Sequence, residues 1–209
     1  MANRREVLQA ALALSVAPIL NARAFWFSAP TNRPADAMSD EVMLDGFVFD
    51  NRFLESVEVG RSAARCGTRL HEIDGDVTAL WYRHLDFHWR AHPGALAGTT
   101  GPDALFVLEN LAWDRRLRVA YRGSHAPPSG DFATHHLSGP RSLVEPLSAG
   151  LSYQSSWTES LGRTMALWSG RSEAAKTIEL KTIGKNTSGR VARLVSWLIV
   201  PRAWGLDPV

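Results

Sequence analysis

Three histidines have the spacing of a metal-binding ridge. His84, His88 and His92 recur every four residues, which on a helix stacks their rings along one side at ligand distance. On a helical wheel begun at Val77 they fall within the apolar arc of Leu80, Trp81, Leu85 and Trp89, with Arg83, Asp86 and Arg90 opposite. The histidines are therefore expected to point inward. A buried polar group left unpaired costs about 1 to 3 kcal/mol, so such a ridge calls for a divalent metal or a polar pocket. The sequence lacks the Glu of an H-E-x-x-H zinc motif. The competing reading is a set of core histidines bonded to backbone carbonyls. His135 and His136 are available as further ligands from another part of the chain.

A second group collects where apolar runs of strand length give way to helical patterns. Asp50, Arg52, Thr78, Thr99, Thr100 and Arg122 form the expected ligand-binding set, and Asp74, Asp76 and His125 are the acid/base candidates. The turn from Thr99 to Pro102 would offer backbone N–H groups at a helix start, an arrangement suited to an anion. Serine chemistry has little support at this level. No G-x-S-x-G elbow is present, and Ser124 and His125, adjacent in a strand, would point to opposite faces. Cys66 falls inside a predicted helix and reads as a structural thiol.

Asp74-Gly75-Asp76-Val77-Thr78, following the apolar Leu70-His71-Glu72-Ile73, resembles the D-x-D-x-T motif of haloacid-dehalogenase-like phosphotransferases. The resemblance covers five residues. It implies Asp74 as nucleophile, Asp76 as acid/base, a magnesium ion held by both, and Thr99 or Thr100 as the phosphate-holding hydroxyl. The motif falls on the second strand, and no lysine occurs before Lys176 to neutralise a phosphate. Turn chemistry accounts for Asp-Gly-Asp equally well, because a strand-to-helix turn and an N-cap favour those residue types.

The elements that would position these residues read as alternating strands and helices. VMLDGFVFD, a helix through Cys66 with Gly67 as its stop, Thr68 to Ile73, a helix over 77–92, GALAGTT, a helix over 102–117 and RVAYRGSH describe four strands joined by three crossovers. The expected fold is α/β: a Rossmann-like parallel sheet of about four strands with helices on both faces. A C-terminal helix, WTESLGRTMALW, and a β-hairpin of KTIELKTIG with RVARLVSWLIVP are expected to follow. Residues 126–142, rich in Gly, Pro, Ser and His, read as an irregular loop. In the helix over 102–117, Phe106 and Trp113 lie away from the main apolar side and need cover.

Composition narrows the class. The chain has 209 residues, 45% hydrophobic and 21% charged, ordinary for one globular domain with appendages. The pI of about 9.0 suggests nucleic acid, but the formal net charge is only +2. Arg4, Arg5 and Arg23 against Glu6 supply that excess, so no phosphate-binding footprint remains in residues 25–209.

The N-terminus reads as a targeting segment. Arg4-Arg5 precede Val7-Leu8, a short apolar run and Ala22-Arg23-Ala24, an A-x-A pattern. Residues 1–24 resemble a bacterial twin-arginine export signal, which implies passage through the twin-arginine translocase in a folded state and a periplasmic location. Residues 25–40 read as a linker and 41–209 as a single α/β domain without a transmembrane span. That export route suits proteins carrying a cofactor or travelling with a partner. No C-x-x-C-H, cysteine cluster or G-x-G-x-x-G is present. The expectation is thus an exported accessory or small-ligand-binding protein, possible partner of an exported enzyme. The alternative is a metal-dependent or acid/base hydrolase or transferase working at the carboxyl ends of the strands.

Overall fold

The computed structural model describes residues 44–129, 132–153, 156–170, 175–183 and 193–205. The chain divides into Met1–Met38 and Ser39–Val209, and every described residue lies in the second unit. The export signal over 1–24 and the linker over 25–40 lie outside the described residues.

The first half follows the expected alternation. β1 (Leu44–Asp50) leads to α1 (Leu54–Arg65) and then to β2 (Leu70–Ile73). Gly67, at φ +88°, makes the turn out of α1. A short α2 (Thr78–Leu80) runs through a π turn (Trp81–Leu85) into α3 (Asp86–Ala91), followed by β3 (Ala95–Thr100). α4 (Pro102–Trp113) begins with proline in its first turn, where the missing N–H costs nothing. β1 pairs in parallel with β2 on one side and β3 on the other.

The second half departs from expectation. The sheet has seven strands in the order β2-β1-β3-β7-β4-β5-β6 and is mixed, where about four parallel strands were expected. β4 (Leu117–Ser129) and β5 (Phe132–Pro140) pair antiparallel through the segment read as a loop over 126–142, and α5 (Arg141–Tyr153) starts directly after β5. Period-two alternation was present there: Ala133, His135 and Leu137 are buried and His136 is exposed. Small and polar side chains hid it. After α6 (Trp157–Ala166), β6 (Ala175–Ile183) pairs with β5, not with β7 (Leu194–Pro201), so the expected C-terminal hairpin does not form.

β7 instead inserts between β3 and β4, antiparallel to both. All eight of its residues are buried, and a strand apolar on both faces belongs in the sheet interior. β6 carries Lys176 and Lys181 and alternates, as suits an edge. Because β7 reverses direction between them, β3 and β4 point the same way, and the tips of β1, β3 and β4 share one edge of the sheet.

Helices cover both faces. Phe47, Ala97, Tyr121 and Leu198 pack with residues of α1, α5 and α6. Val48, Leu96, Trp197 and Ile199 pack with α4 and with Leu80, Trp81, Leu85 and Trp89. β4 changes sides midway. Leu117 and Val119 belong to the second core, but a bulge between Val119 and Tyr121 sends Ala120 and Tyr121 to the first. One extra residue reverses the parity of everything beyond it.

Candidate functional site

The histidine ridge does not assemble. Trp81, Leu85 and Trp89 take the buried positions, while His84, His88 and His92 are exposed. A π turn advances the chain by less rotation per residue than an α-helix, so a wheel drawn with uniform α steps places the residues beyond it wrongly. His88 Nε2 lies 3.2 Å from Asp45 Oδ2, His84 faces His71, and His92 sits past the helix end. No group of three or more His, Cys, Asp or Glu side chains with metal-binding geometry occurs among the described residues.

The Asp-Gly-Asp segment is a turn. Asp74, Asp76 and Thr78 are all exposed, and Asp76 Oδ1 accepts the Thr78 N–H at 2.8 Å; the Thr78 hydroxyl first, and this N–H after it, lower the Asp76 pKa. Gly75 adopts φ +75°, a conformation that favours glycine. Thr99 and Thr100 are completely buried on β3, with β1 lying between β2 and them. These carboxylates and hydroxyls do not form the magnesium and phosphate site of a phosphotransferase.

The tips of β1 and β3 close on each other. Asp50, fully buried, accepts from Arg52 Nε at 3.0 Å and from its terminal nitrogen at 2.8 Å, and the Gly101 N–H approaches it at 3.4 Å. Arg52 lies over Gly75 and extends to Asp103 at 3.5 Å. Ser56 accepts the Asp50 N–H and donates to the Thr99 carbonyl, tying α1 to both strands. Thr100 Oγ1 accepts from Trp197 Nε1 at 3.1 Å. One guanidinium between two carboxylates leaves a net negative charge, so the anion expected beside the Thr99–Pro102 turn is not favoured there. Arg122 points to the other sheet face, donating to Glu109 of α4 at 2.8 Å.

His125 is where the edge becomes chemically unusual. The bulge in β4 turns Tyr121, Gly123 and His125 toward α6. A chain of contacts then crosses four strands: Tyr121 OH to Ser196 Oγ at 3.0 Å, Ser196 Oγ to His125 Nε2 at 2.8 Å, His125 Nδ1 to His135 Nδ1 at 2.7 Å, and His135 Nε2 to Thr182 Oγ1 at 2.8 Å. Trp157, at the start of α6, stands with its ring centroid 5.0 Å from both imidazoles.

A single proton can lie between the two Nδ1 atoms of neutral rings. All donors then point from Tyr121 toward Thr182, or all point back, and either arrangement satisfies every group. Burial, reinforced by the neighbouring His135, pushes His125 well below its ordinary value. Burial, and after it His136, pushes His135 down to about 4. Both rings are neutral near pH 7.

In the first arrangement Ser196 donates to His125 and His125 donates to His135, which is the order of nucleophile, base and orienting group. Ser196 is nevertheless fully buried, and a side chain on Gly123 would collide with Ser196 Oγ and Tyr121 OH. As folded, the chain satisfies five buried polar side chains and ties α6 to the sheet.

Open space lies one helix further out. A cleft of about 480 Å³ separates α5 from α6. Ser142, Pro146 and Gly150 line it at four-residue steps along α5, facing Ser160 and Arg163 of α6 and Leu167 just past its end. Ser160 Oγ donates to the Gly150 carbonyl at 3.1 Å at one end, and Trp168 Nε1 donates to Ser142 Oγ at 3.3 Å at the other.

Of the expected site residues, the structure joins Asp50 to Arg52 and places His125 in the buried chain. It leaves Thr78, Arg122, Asp74, Asp76 and the three helical histidines apart. Sequence reasoning missed Tyr121, Ser196, Thr182, Trp157 and Arg163. Only His125 and His135 carried a signal, and its meaning depended on the bulge and on the pairing of β5 with β6. Compared with family models, curated proteins and solved structures, the chain matches none.

Proposed function

We propose that this is an exported small-ligand-binding α/β protein, accessory to a partner enzyme, with its ligand seated between α5 and α6. The observation that carries the reading is the 480 Å³ cleft, within the range of small-molecule sites, whereas the tips of β1 and β3 are closed by Asp50 and Arg52. The twin-arginine pattern at Arg4-Arg5 and the formally neutral charge of residues 25–209 support export and a role away from nucleic acid. No helix among the described residues is long and apolar enough to cross a membrane. The Rossmann-like element in this reading is β1-α1-β2 through β3 and α4, whose parallel strands and intervening helices hold the α1 side on which α6 packs.

Native mass spectrometry of the protein isolated from a periplasmic fraction tests this directly. The expected spectrum shows a co-purified small molecule, and Thr164→Trp, which fills the cleft, removes it. Bare protein in both samples overturns the binding role, and recovery only from the cytoplasm overturns export.

The spacing of Ser196, His125 and His135 favours a second reading, an acid/base hydrolase whose serine is exposed when Trp157 swings away. A fluorophosphonate probe should then label Ser196, faster in Trp157→Ala and not at all in His125→Ala. Absence of labelling in the wild type and in Trp157→Ala would remove the hydrolase.

A further inference from the structure

We propose that the cleft between α5 and α6 takes a small organic monocarboxylate with an apolar tail, held through Arg163. The inference rests on the reading of that cleft as the ligand seat and adds the chemical class of what sits there.

Among the described residues Arg163 is the charged side chain of the lining, and no described Asp or Glu lines the cleft beside it. It is exposed, and no described carboxylate lies within ion-pair distance of it. A guanidinium presents paired N–H groups in a plane, the geometry that two carboxylate oxygens match.

The rest of the lining selects for a hydrocarbon. Pro146, Leu167 and Trp168 flank the cation, and Leu167 keeps 59% of its surface exposed. Covering that surface with a ligand tail removes apolar area from water, which favours binding. Thr164 and Ser169 add hydroxyls that can donate to an oxygen at the same mouth.

The described lining favours a singly charged ligand. A second negative charge would gain little from one guanidinium, and Arg163 belongs to the last turn of α6, where the helix dipole is negative and disfavours further anionic charge. One fork-like bond therefore sets the preference for a monoanion. The cavity admits a molecule of roughly a dozen or more heavy atoms, by the ordinary relation between ligand and pocket size.

The test compares 4-phenylbutyrate with its uncharged amide, 4-phenylbutanamide, by isothermal titration on the full chain. The acid is expected to bind about three- to fivefold tighter than the amide, since the solvent-screened charge-assisted pair is the difference between them. Arg163→Gln should erase that preference by weakening the acid alone, and Arg163→Lys should restore part of it. Arg163 is exposed, so thermal melting of both variants should match the wild type. Equal binding of acid and amide, or an Arg163→Gln variant that still prefers the acid, overturns the carboxylate while leaving the cleft as a ligand seat. Binding of either compound unchanged by Thr164→Trp overturns the cleft itself.

Discussion

Acidification from pH 7 to 5 is expected to lower the unfolding free energy by about 2 kcal/mol through His135 alone. The direction follows from the histidine being held down, at about 4 in the folded protein against 6.5 when exposed. Between those values the unfolded chain binds the proton and the native chain does not. Stability from this group is complete above 6.5, falls as the pH drops toward 4, and changes no further below. His125 acts in the same direction. His71, lowered to about 4 chiefly by burial, adds to the loss, reduced by its partial contact with solvent.

The window separates histidines from carboxylates. Asp86 and Glu145 are lowered by their arginine and lysine partners, so their contributions disappear only as the pH falls below the ordinary carboxylate range. Asp45, raised by burial, opposes the trend at and just above its ordinary value. Urea unfolding at pH 7 and pH 5 provides the measurement. His135→Gln should be less stable than the wild type at pH 7 and show a flatter pH dependence. A wild-type stability that is level from pH 7 to 5 would mean that the imidazole pair is not buried and neutral as described.

Gly162→Leu is expected to destabilise the protein by about 3 kcal/mol or more and to abolish ligand binding at the cleft. At this position α6 crosses α1 so closely that a Cβ would collide with the Val59 carbonyl oxygen and lie 2.7 Å from Ser62 Cβ. Backbone cannot move aside as the end of a flexible side chain would. The same crossing is fastened by Ser62 Oγ donating to the Glu159 carbonyl at 2.8 Å and Thr158 Oγ1 donating to Glu58 at 3.0 Å. Pushing α6 outward would uncover the imidazoles beneath Trp157 and displace Arg163 from the cleft. Chemical denaturation with titration of 4-phenylbutyrate would detect both effects. A Gly162→Leu protein of wild-type stability would show that α1 and α6 are not in close contact.

Much of the first half was legible because its signals are local. The apolar run Phe47-Val48-Phe49, the Gly67 stop, the Gly-Pro start of α4 and the alternation of strand and helix act within a few residues, and α/β architecture follows from them. The histidine ridge misled because one π turn changes which residues point inward, and helical periodicity contains no mark of that turn. The loop over 126–142 misled for another reason. Residues such as His135, Ser138 and Gly139 have weak strand preference, and they become a strand because β4 and β6 flank them on both sides.

The sequence by itself determined the α/β class and the strand character of the Lys-bearing segment Ala175–Ile183 and of the apolar segment Leu194–Pro201. Only the tertiary structure decided that the buried strand would sit between β3 and β4, because pairing partners far apart in the chain leave no local trace. It also decided that a single extra residue at Ala120 would turn His125 inward to meet His135 and Ser196. The cleft beside Arg163 is a tertiary outcome too, set by how closely α6 approaches α1 at Gly162 and how far it stands from α5. Short-range preferences choose helix or strand, whereas bulges and helix crossings choose which side chains meet, and those meetings arise between residues separated by tens of positions.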